Sequence, residues 1–215
     1  MSKNPYTPDE LPDVLPIFPL SRALLLPHGS LPLNIFEPRY LQMINNAMAS
    51  NRMIGIIQPC DKTEGAVKKI GCAGKIIDFH ETTDGRYGIT LSGISRFEVR
   101  EEITVTTLYR QVHADWSPYA DDALSHDCLD IHRGELSAAL KQYFDMEGMS
   151  CDWEAIEDSG DQKLITALCM ICPFESTEKQ ALLESESCHS RAKLFLDMLT
   201  MHVKCKGVSA AGQAH

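Results

Sequence analysis

The chain has 215 residues, of which 44% are hydrophobic, with a formal net charge of -10 and a pI of about 5.2. This length is enough to bury the core of one large domain or of two small ones packed together. The excess of acidic residues repels polyanions, and the longest run of basic residues is the pair Lys68-Lys69. We therefore expect no nucleic-acid partner.

The N-terminal residues carry prolines and acidic side chains where a signal peptide would have a basic region and an apolar run. The most apolar early run, residues 23–26, is closed by Pro27 and is far shorter than the roughly 20 apolar residues that span a membrane. We expect a cytoplasmic protein with no membrane partner. In that compartment the eight cysteines are expected to be reduced rather than paired.

Strands are predicted throughout the first half of the chain. Short apolar runs bounded by Pro, Gly or Asp lie at residues 14–18, 31–35, 53–58, 70–79, 94–99 and 103–107. Residues 86–92 alternate between polar and apolar side chains, which is typical of a half-buried strand. Asp84-Gly85 directly before them favours a hairpin turn. Glycines that interrupt the strands indicate a curved sheet closing towards a barrel.

One helix interrupts the predicted strands. Glu37-Pro38 is expected to begin it, because proline at the first helical position has no N–H to leave unbonded. The apolar residues that follow have helical spacing: Tyr40, Leu41, Ile44, Ala47 and Met48.

The composition changes near Ser117-Pro118. Ten of the eleven prolines lie at or before Pro118; residues 1–118 carry 12 Lys and Arg against 13 Asp and Glu, whereas residues 119–215 carry 8 against 17. A proline-poor, acidic stretch with helical spacing predicts helices. They are expected to begin near Asp121-Asp122, Asp161, Ser176-Thr177 and Ser187. We therefore predict a β-rich part at 1–118, a helical part at 119–206 and a disordered tail at 207–215.

Motifs for ATP and metal chemistry are incomplete. Gly74-Lys75 lacks the upstream glycine and the following hydroxyl of a phosphate-binding loop, since Lys69 and Ile76 stand there. His80-Glu81 lacks the second histidine of a zinc-protease helix, because Asp84 occupies that position. We interpret the first motif as a turn and reject the second as a zinc site.

Cys169 and Cys172 form a C-x-x-C on the apolar face of a predicted helix. We interpret them as buried core thiols, with a metal or redox site as the alternative. No second C-x-x-C supplies further ligands, and no G-x-S-x-G elbow presents a serine nucleophile. The sequence therefore predicts no metal, no cofactor and no catalytic residue.

The segments that stand out are residues 16–20, 26–40, 84–86 and 93–97. They contain Phe-Pro-Leu, then Pro-Leu-x-Ile-Phe-Glu-Pro-Arg-Tyr, then Asp-Gly-Arg and finally Gly-x-x-Arg-Phe. Taken residue by residue, their simplest interpretation is structural: prolines set turns, Ile and Phe fill the core, and arginines pair with carboxylates or carbonyls.

In this order the segments resemble the N-terminal, substrate-binding domain of Lon proteases, over about Leu15 to Leu199. Residues 178–184 are similar to that family's C-terminal helix signature. The resemblance implies an α+β fold, in which a β-rich, PUA-like pseudo-barrel is followed by an α-helical subdomain. It does not bring the ATPase or peptidase of full-length Lon, for which this chain has no motif.

What the resemblance implies about function is recognition of polypeptides. We expect a non-catalytic module that binds unfolded or extended polypeptides, an adaptor for damaged proteins alongside a protease or chaperone. The alternative is a PUA-like domain that binds a small molecule or nucleotide. The residues expected to line or brace a peptide-binding surface are Phe36, Arg39, Tyr40, Arg86 and Arg96.

Overall fold

A computed structural model describes residues 10–60, 63–123 and 133–211, without the side chains of residues 123 and 155 and of residues 206–211. Within these residues the strands are β1 Val14–Pro19, β2 Ser30–Ile35, β3 Met53–Ile57, β4 Ile70–Glu81, β5 Tyr87–Ile103 and β6 Arg110–Asp115. The α-helices are α1 Pro38–Met48, α2 Arg133–Glu147, α3 Trp153–Asp158, α4 Asp161–Ile171, α5 Ser176–Glu184 and α6 Cys188–Ala211. A kinked 3-10 segment, η1, covers Ser117–Ala123.

The strands form one mixed sheet that closes on itself. Their order is β2-β5-β4-β3-β1-β6, and β6 pairs in addition with the C-terminal part of β5. The pair β1–β3 is parallel and the other pairs are antiparallel. Because β5 pairs with both β4 and β6, five strands close a barrel, and β2 is attached along the first residues of β5. The predicted α+β class, with a β-rich barrel followed by helices, is confirmed.

The interior of the barrel is filled by apolar side chains. Its buried members are Leu15, Ile17, Met53, Ile57, Ala73, Phe97, Val112, Ala114 and Trp116. A β-carbon added at Gly55 or Gly71 would lie 2.8 or 2.6 Å from the ring of Phe97. These two glycines therefore make room for the ring of Phe97 inside the barrel.

β5 is one strand of 17 residues where the sequence predicted separate strands. The prediction of a strand through residue 107 is wrong, because β5 ends at Ile103 and the chain then turns back towards β6. In this turn the hydroxyl of Thr107 donates to the Tyr109 carbonyl at 2.8 Å, and Leu108 N donates to Gln42 Oε1 at 2.9 Å. Local side-chain bonds thus replace strand pairing in a run whose β-branched residues favour strands.

Two compact units can be distinguished, and they do not divide at residue 118. One consists of Met1–Ser125 with Thr166–Glu184, and the other of His126–Ile165 with Ser185–His215. The first unit contains α5, from which Gln180 Nε2 donates to the carbonyl of Ile70 on β4 at 3.1 Å. Such a contact between distant parts of the sequence leaves no signal in composition.

The second unit is helical, with α2 packed on α6. The ring centroids of Tyr143 and His202 lie 5.8 Å apart, and those of Phe144 and Trp153 lie 6.0 Å apart. The predicted helix from Asp121-Asp122 is wrong at its start, since those residues belong to η1; residues 124–132 of that prediction lie outside the described residues. At the other end, α6 continues to Ala211, so residues 207–211 are helical rather than part of a disordered tail.

The C-x-x-C cysteines are buried, as expected, and Cys169 and Cys172 are not joined in a disulfide. Burial raises the pKa of the Cys172 thiol to about 12, which keeps it protonated and unreactive. The expectation that all cysteines are reduced is wrong for Cys188, which is disulfide-bonded. A disulfide depends on the distance between two β-carbons, which the spacing of cysteines does not reveal.

Two features are absent from the described residues. These residues contain no helix long and apolar enough to cross a membrane. Nor does that part of the chain bring three or more His, Cys, Asp or Glu side chains into a metal-binding arrangement.

Candidate functional site

Arg96 is buried, with 5% of its surface exposed, and it serves as a brace rather than a surface residue. Its guanidinium donates to both carboxylate oxygens of Asp122, from Nε at 2.8 Å and from Nη2 at 2.7 Å. Its third nitrogen, Nη1, donates to the Leu183 carbonyl at 3.1 Å, and its Cζ lies 4.4 Å from the ring centroid of Tyr119. One side chain on β5 thereby holds η1 and the end of α5.

Electrostatics at Arg96 follow from this arrangement. Burial acts to lower the pKa of Arg96, but the hydrogen bond and the charge of Asp122 outweigh it, so the pKa is raised. The guanidinium is therefore charged at any relevant pH. Arg96 and Asp122 form a buried ion pair whose hydrogen bonds are largely satisfied within the protein.

Tyr40 is also buried, and Arg39 covers it. The ring of Tyr40 packs on Phe18 with centroids 4.0 Å apart. Arg39 Cζ lies 4.6 Å from the Tyr40 centroid, while its Nη2 lies 2.7 Å from Glu37 Oε2. Of these two predicted site residues, Tyr40 belongs to the core under α1 and only Arg39 reaches the surface.

Phe36 and Arg86 lie together on the surface. Phe36 is 61% exposed, and Arg86 Cζ lies 5.9 Å from the centroid of its ring. Arg86 also pairs with Asp84 in the hairpin turn, with Nε 3.0 Å from Oδ2. The turn is of the kind expected from Asp84-Gly85, since Gly85 has a φ of 78°. These are the two predicted residues that meet at an exposed aromatic surface.

Two further aromatic residues, which the sequence analysis did not single out, lie at the same end of the sheet. The rings of Phe79 on β4 and Tyr87 on β5 meet edge to face, with centroids 5.0 Å apart. Tyr87 is paired with Ile35 of β2, the residue directly before Phe36. We call the end of the sheet that carries Phe36, Phe79 and Tyr87 the aromatic patch; strand alternation places Phe36 and Arg86 on one face of this end and Phe79 and Tyr87 on the other.

The strand predicted from the apolar run at residues 70–79 extends to Glu81, and its last five residues, 77–81, are exposed. Ile77 is 62% exposed, and it lies where a bulge shifts the register between Ile76 and Asp78. A signal for this change exists in the sequence, because Asp78, His80 and Glu81 are polar or charged where the preceding residues are apolar.

Backbone hydrogen-bonding groups are unpaired next to the patch. β3 pairs with β4 only at residues 72–75, so within the described part of the chain residues 77–81 pair with β5 alone. β2 likewise pairs only with β5 there. At this end of the sheet β2, β5 and β4 therefore extend beyond the closed barrel. Among the described residues, the outer edge of β2 and the outer edge of β4 have no partner strand.

A second exposed apolar feature lies in the turn between β5 and β6. Residues Glu102 to Arg110 enclose an open hollow of about 370 Å³, beside which Leu108 is exposed. Glu102 and Arg110 form an ion pair across its mouth, and Asn46 Nδ2 donates to the hydroxyl of Tyr109 at 2.9 Å. The hollow is built from one turn, whereas the aromatic patch is built from three strands.

The model of the family described as the ATP-dependent protease La (LON) substrate-binding domain matches residues 14–201. Lon protease 2 of Myxococcus xanthus is 24% identical over 199 residues, which cover 89% of this chain and 24% of that protein. Lon protease of Desulfosudis oleivorans is 31% identical over 103 residues, covering 45% of this chain and 13% of that protein. The chain thus spans about a quarter or less of the length of these relatives.

Two solved structures share the fold. The Lon N-terminal domain protein from Xanthomonas campestris superimposes with a TM-score of 0.60 at 22% identity, covering 86% of this chain and 97% of that one. The N-terminal domain of the Mycobacterium avium complex Lon protease gives a TM-score of 0.60 at 17% identity, covering 88% and 99%.

Proposed function

The chain belongs to the LON substrate-binding domain family, and on that premise we propose that it is a non-catalytic module which recognises extended polypeptide segments carrying apolar residues. The observation that carries the proposal is the aromatic patch, where Phe36 is 61% and Phe79 36% exposed beside unpaired strand edges. Exposed aromatic residues beside a free strand edge are typical anchors for a partner.

The filled barrel supports binding at the surface rather than inside. Phe97, Trp116 and their apolar neighbours occupy the interior, which is the place where a barrel would otherwise hold a small ligand. The patch supplies apolar area, a guanidinium and backbone groups, which is the chemistry of binding rather than of bond cleavage. We therefore favour polypeptide recognition over the alternative of a small-molecule or nucleotide site.

As an adaptor, such a module would bind unfolded or damaged proteins in the cytoplasm and present them to a protease or chaperone. Binding must then be reversible, and micromolar dissociation constants correspond to about 8 kcal/mol. One or two aromatic anchors can supply this. Because apolar contact carries the affinity, we expect it to depend little on salt.

Replacing both Phe36 and Phe79 by alanine is expected to weaken the binding of an unfolded polypeptide to the full chain by about 10-fold or more. The reason is that truncating an aromatic anchor at an interface typically costs above 1 kcal/mol. Titration of a reduced, carboxymethylated protein, followed by fluorescence anisotropy, measures the effect.

Met201→Ala is the matched control, because Met201 is 64% exposed on α6 in the other compact unit. It should bind as the unchanged chain does. If the unchanged chain, the double alanine variant and Met201→Ala bind with equal affinity, the aromatic patch is not the binding surface. If the unchanged chain does not bind at high micromolar concentration, the proposed function is refuted.

A further inference from the structure

The edge of β4 next to the aromatic patch presents its backbone groups outward in a defined order. Thr82 N donates to the Arg86 carbonyl at 2.8 Å at the end of the hairpin. Bonding alternates along an antiparallel pair, so His80 and Asp78 also direct their backbone groups towards β5. Phe79 and Glu81 therefore direct their N–H and C=O groups away from β5, towards the free edge.

The opposite edge, on β2, is blocked. Gly93 N donates to the Gly29 carbonyl at 2.8 Å, and from this bond the same alternation places Pro32 with its nitrogen facing outward. Proline has no N–H, and its presence on an edge strand is a common means of preventing further strand addition. Ser30 and Asn34 face the same way as Pro32, so the β2 edge lacks one donor in the middle of its row, whereas the β4 edge has a donor and an acceptor at both Phe79 and Glu81.

The side chains at the β4 edge indicate what would bind there. Phe79 and Glu81 are two residues apart, so they project from the same face of the strand. Phe79 belongs to the aromatic patch, and Glu81 is exposed with no ion pair to any of the described residues. Asp78, on the other face, is also exposed and acidic.

Given the proposed function, on which this inference rests, we propose that a polypeptide binds by adding a strand to residues 77–81 of β4. An apolar residue of the added strand faces Phe79, and a basic residue two positions away faces Glu81. Cross-strand apolar pairs and opposite charges both stabilise such pairing.

The probe is a seven-residue peptide, acetylated and amidated, with phenylalanine at its centre, lysine two positions before and two positions after it, and threonine elsewhere, so that a lysine faces Glu81 in either strand direction. Its binding to the full chain is measured by calorimetry up to about 1 mM peptide. N-methylation of the phenylalanine nitrogen is compared with N-methylation of the neighbouring threonine nitrogen. Because alternate N–H groups of an added strand face β4, one methyl group should weaken binding at least 10-fold and the other less than 3-fold.

Charge is tested separately with Glu81→Lys, a substitution at an exposed position. It should weaken binding of the lysine peptide by about 3- to 10-fold and improve binding of a peptide with glutamate in place of lysine. Glu64→Lys, the same substitution at an exposed position between β3 and β4, is the control and should change neither affinity by more than about 2-fold.

Three results would overturn strand addition. If the two N-methylated peptides bind with equal affinity, polypeptide recognition stands but strand addition is refuted. Sedimentation of the chain as a dimer that Glu81→Lys dissociates would assign the β4 edge to a second copy. If the chain still binds the unfolded polypeptide at the patch but does not bind the peptide, strand addition at β4 alone is refuted. If it binds neither the peptide nor the unfolded polypeptide, the proposed function is refuted as well.

Discussion

Replacing Arg96 by alanine is expected to lower the free energy of unfolding of the β-rich unit by about 3–5 kcal/mol, because removing one partner of a buried ion pair leaves the other charge uncompensated. The side chains of Arg96 and Asp122 are only 6% and 10% exposed. The same substitution removes the bond to the Leu183 carbonyl, so η1 and α5 both lose an attachment to β5.

Urea denaturation measures this effect in a Trp153→Phe background, where Trp116 alone reports on the β-rich unit. Arg86→Ala is the matched control, since Arg86 also pairs with an aspartate but at the surface. It should leave the unfolding midpoint unchanged, as exposed ion pairs contribute little. An Arg96→Ala midpoint equal to that of the control would show that the buried pair does not hold these elements together.

Phe97→Ala is expected to cost about 3–5 kcal/mol of unfolding free energy, through lost burial and the cavity that remains. Phe97 is fully buried in the barrel, and its centroid lies 5.8 Å from that of Trp116. Gly55 and Gly71 face the ring without side chains of their own, so nothing from these positions can fill the space. The cavity should therefore persist.

Phe36→Ala provides the comparison, because it removes the same side chain from an exposed position. Its effect on stability should be within about 0.5 kcal/mol. Urea denaturation of both variants, again followed at Trp116, gives the difference directly. A loss below about 1 kcal/mol for Phe97→Ala would mean that the barrel collapses around the missing ring and is less rigid than its packing indicates.

These two residues show why the Gly93-x-x-Arg96-Phe97 segment could be recognised but not interpreted from sequence. Neighbouring residues on a strand face opposite sides, so Arg96 points to η1 and α5 while Phe97 fills the barrel. Gly93 accepts a close approach, since a β-carbon there would lie 2.0 Å from the Leu26 carbonyl oxygen. Each role depends on a partner distant in sequence.

Local signals in the sequence were accurate where the structure is local. The helix at Pro38 begins after Glu37 as predicted, and Gly85 lies in the hairpin turn. The attachment of α5 to the sheet was not predictable in this way, because it depends on a hydrogen bond between Gln180 and Ile70. Nor was the closure of the barrel by β6, which pairs with β5 and β1.

The candidate site was predicted in part. Phe36 and Arg86 lie at the exposed surface, whereas Tyr40 and Arg96 are buried. A side chain's exposure depends on what packs over it, and both kinds of residue occur within the same motifs. Phe79 was missed because it follows a run of buried strand residues, although the polar residues on either side of it mark the exposed segment that lies beyond the end of β3.

Mapping a bound polypeptide onto the full chain by amide chemical shifts tests the central claim most directly. The ¹⁵N-labelled protein is titrated with a reduced, carboxymethylated protein as the unfolded ligand. Polypeptide recognition by the aromatic patch predicts saturable shift changes centred on Phe36, residues 77–81 and Tyr87. Shift changes confined to residues 133–165 and 185–205, or none at high micromolar ligand, would contradict it.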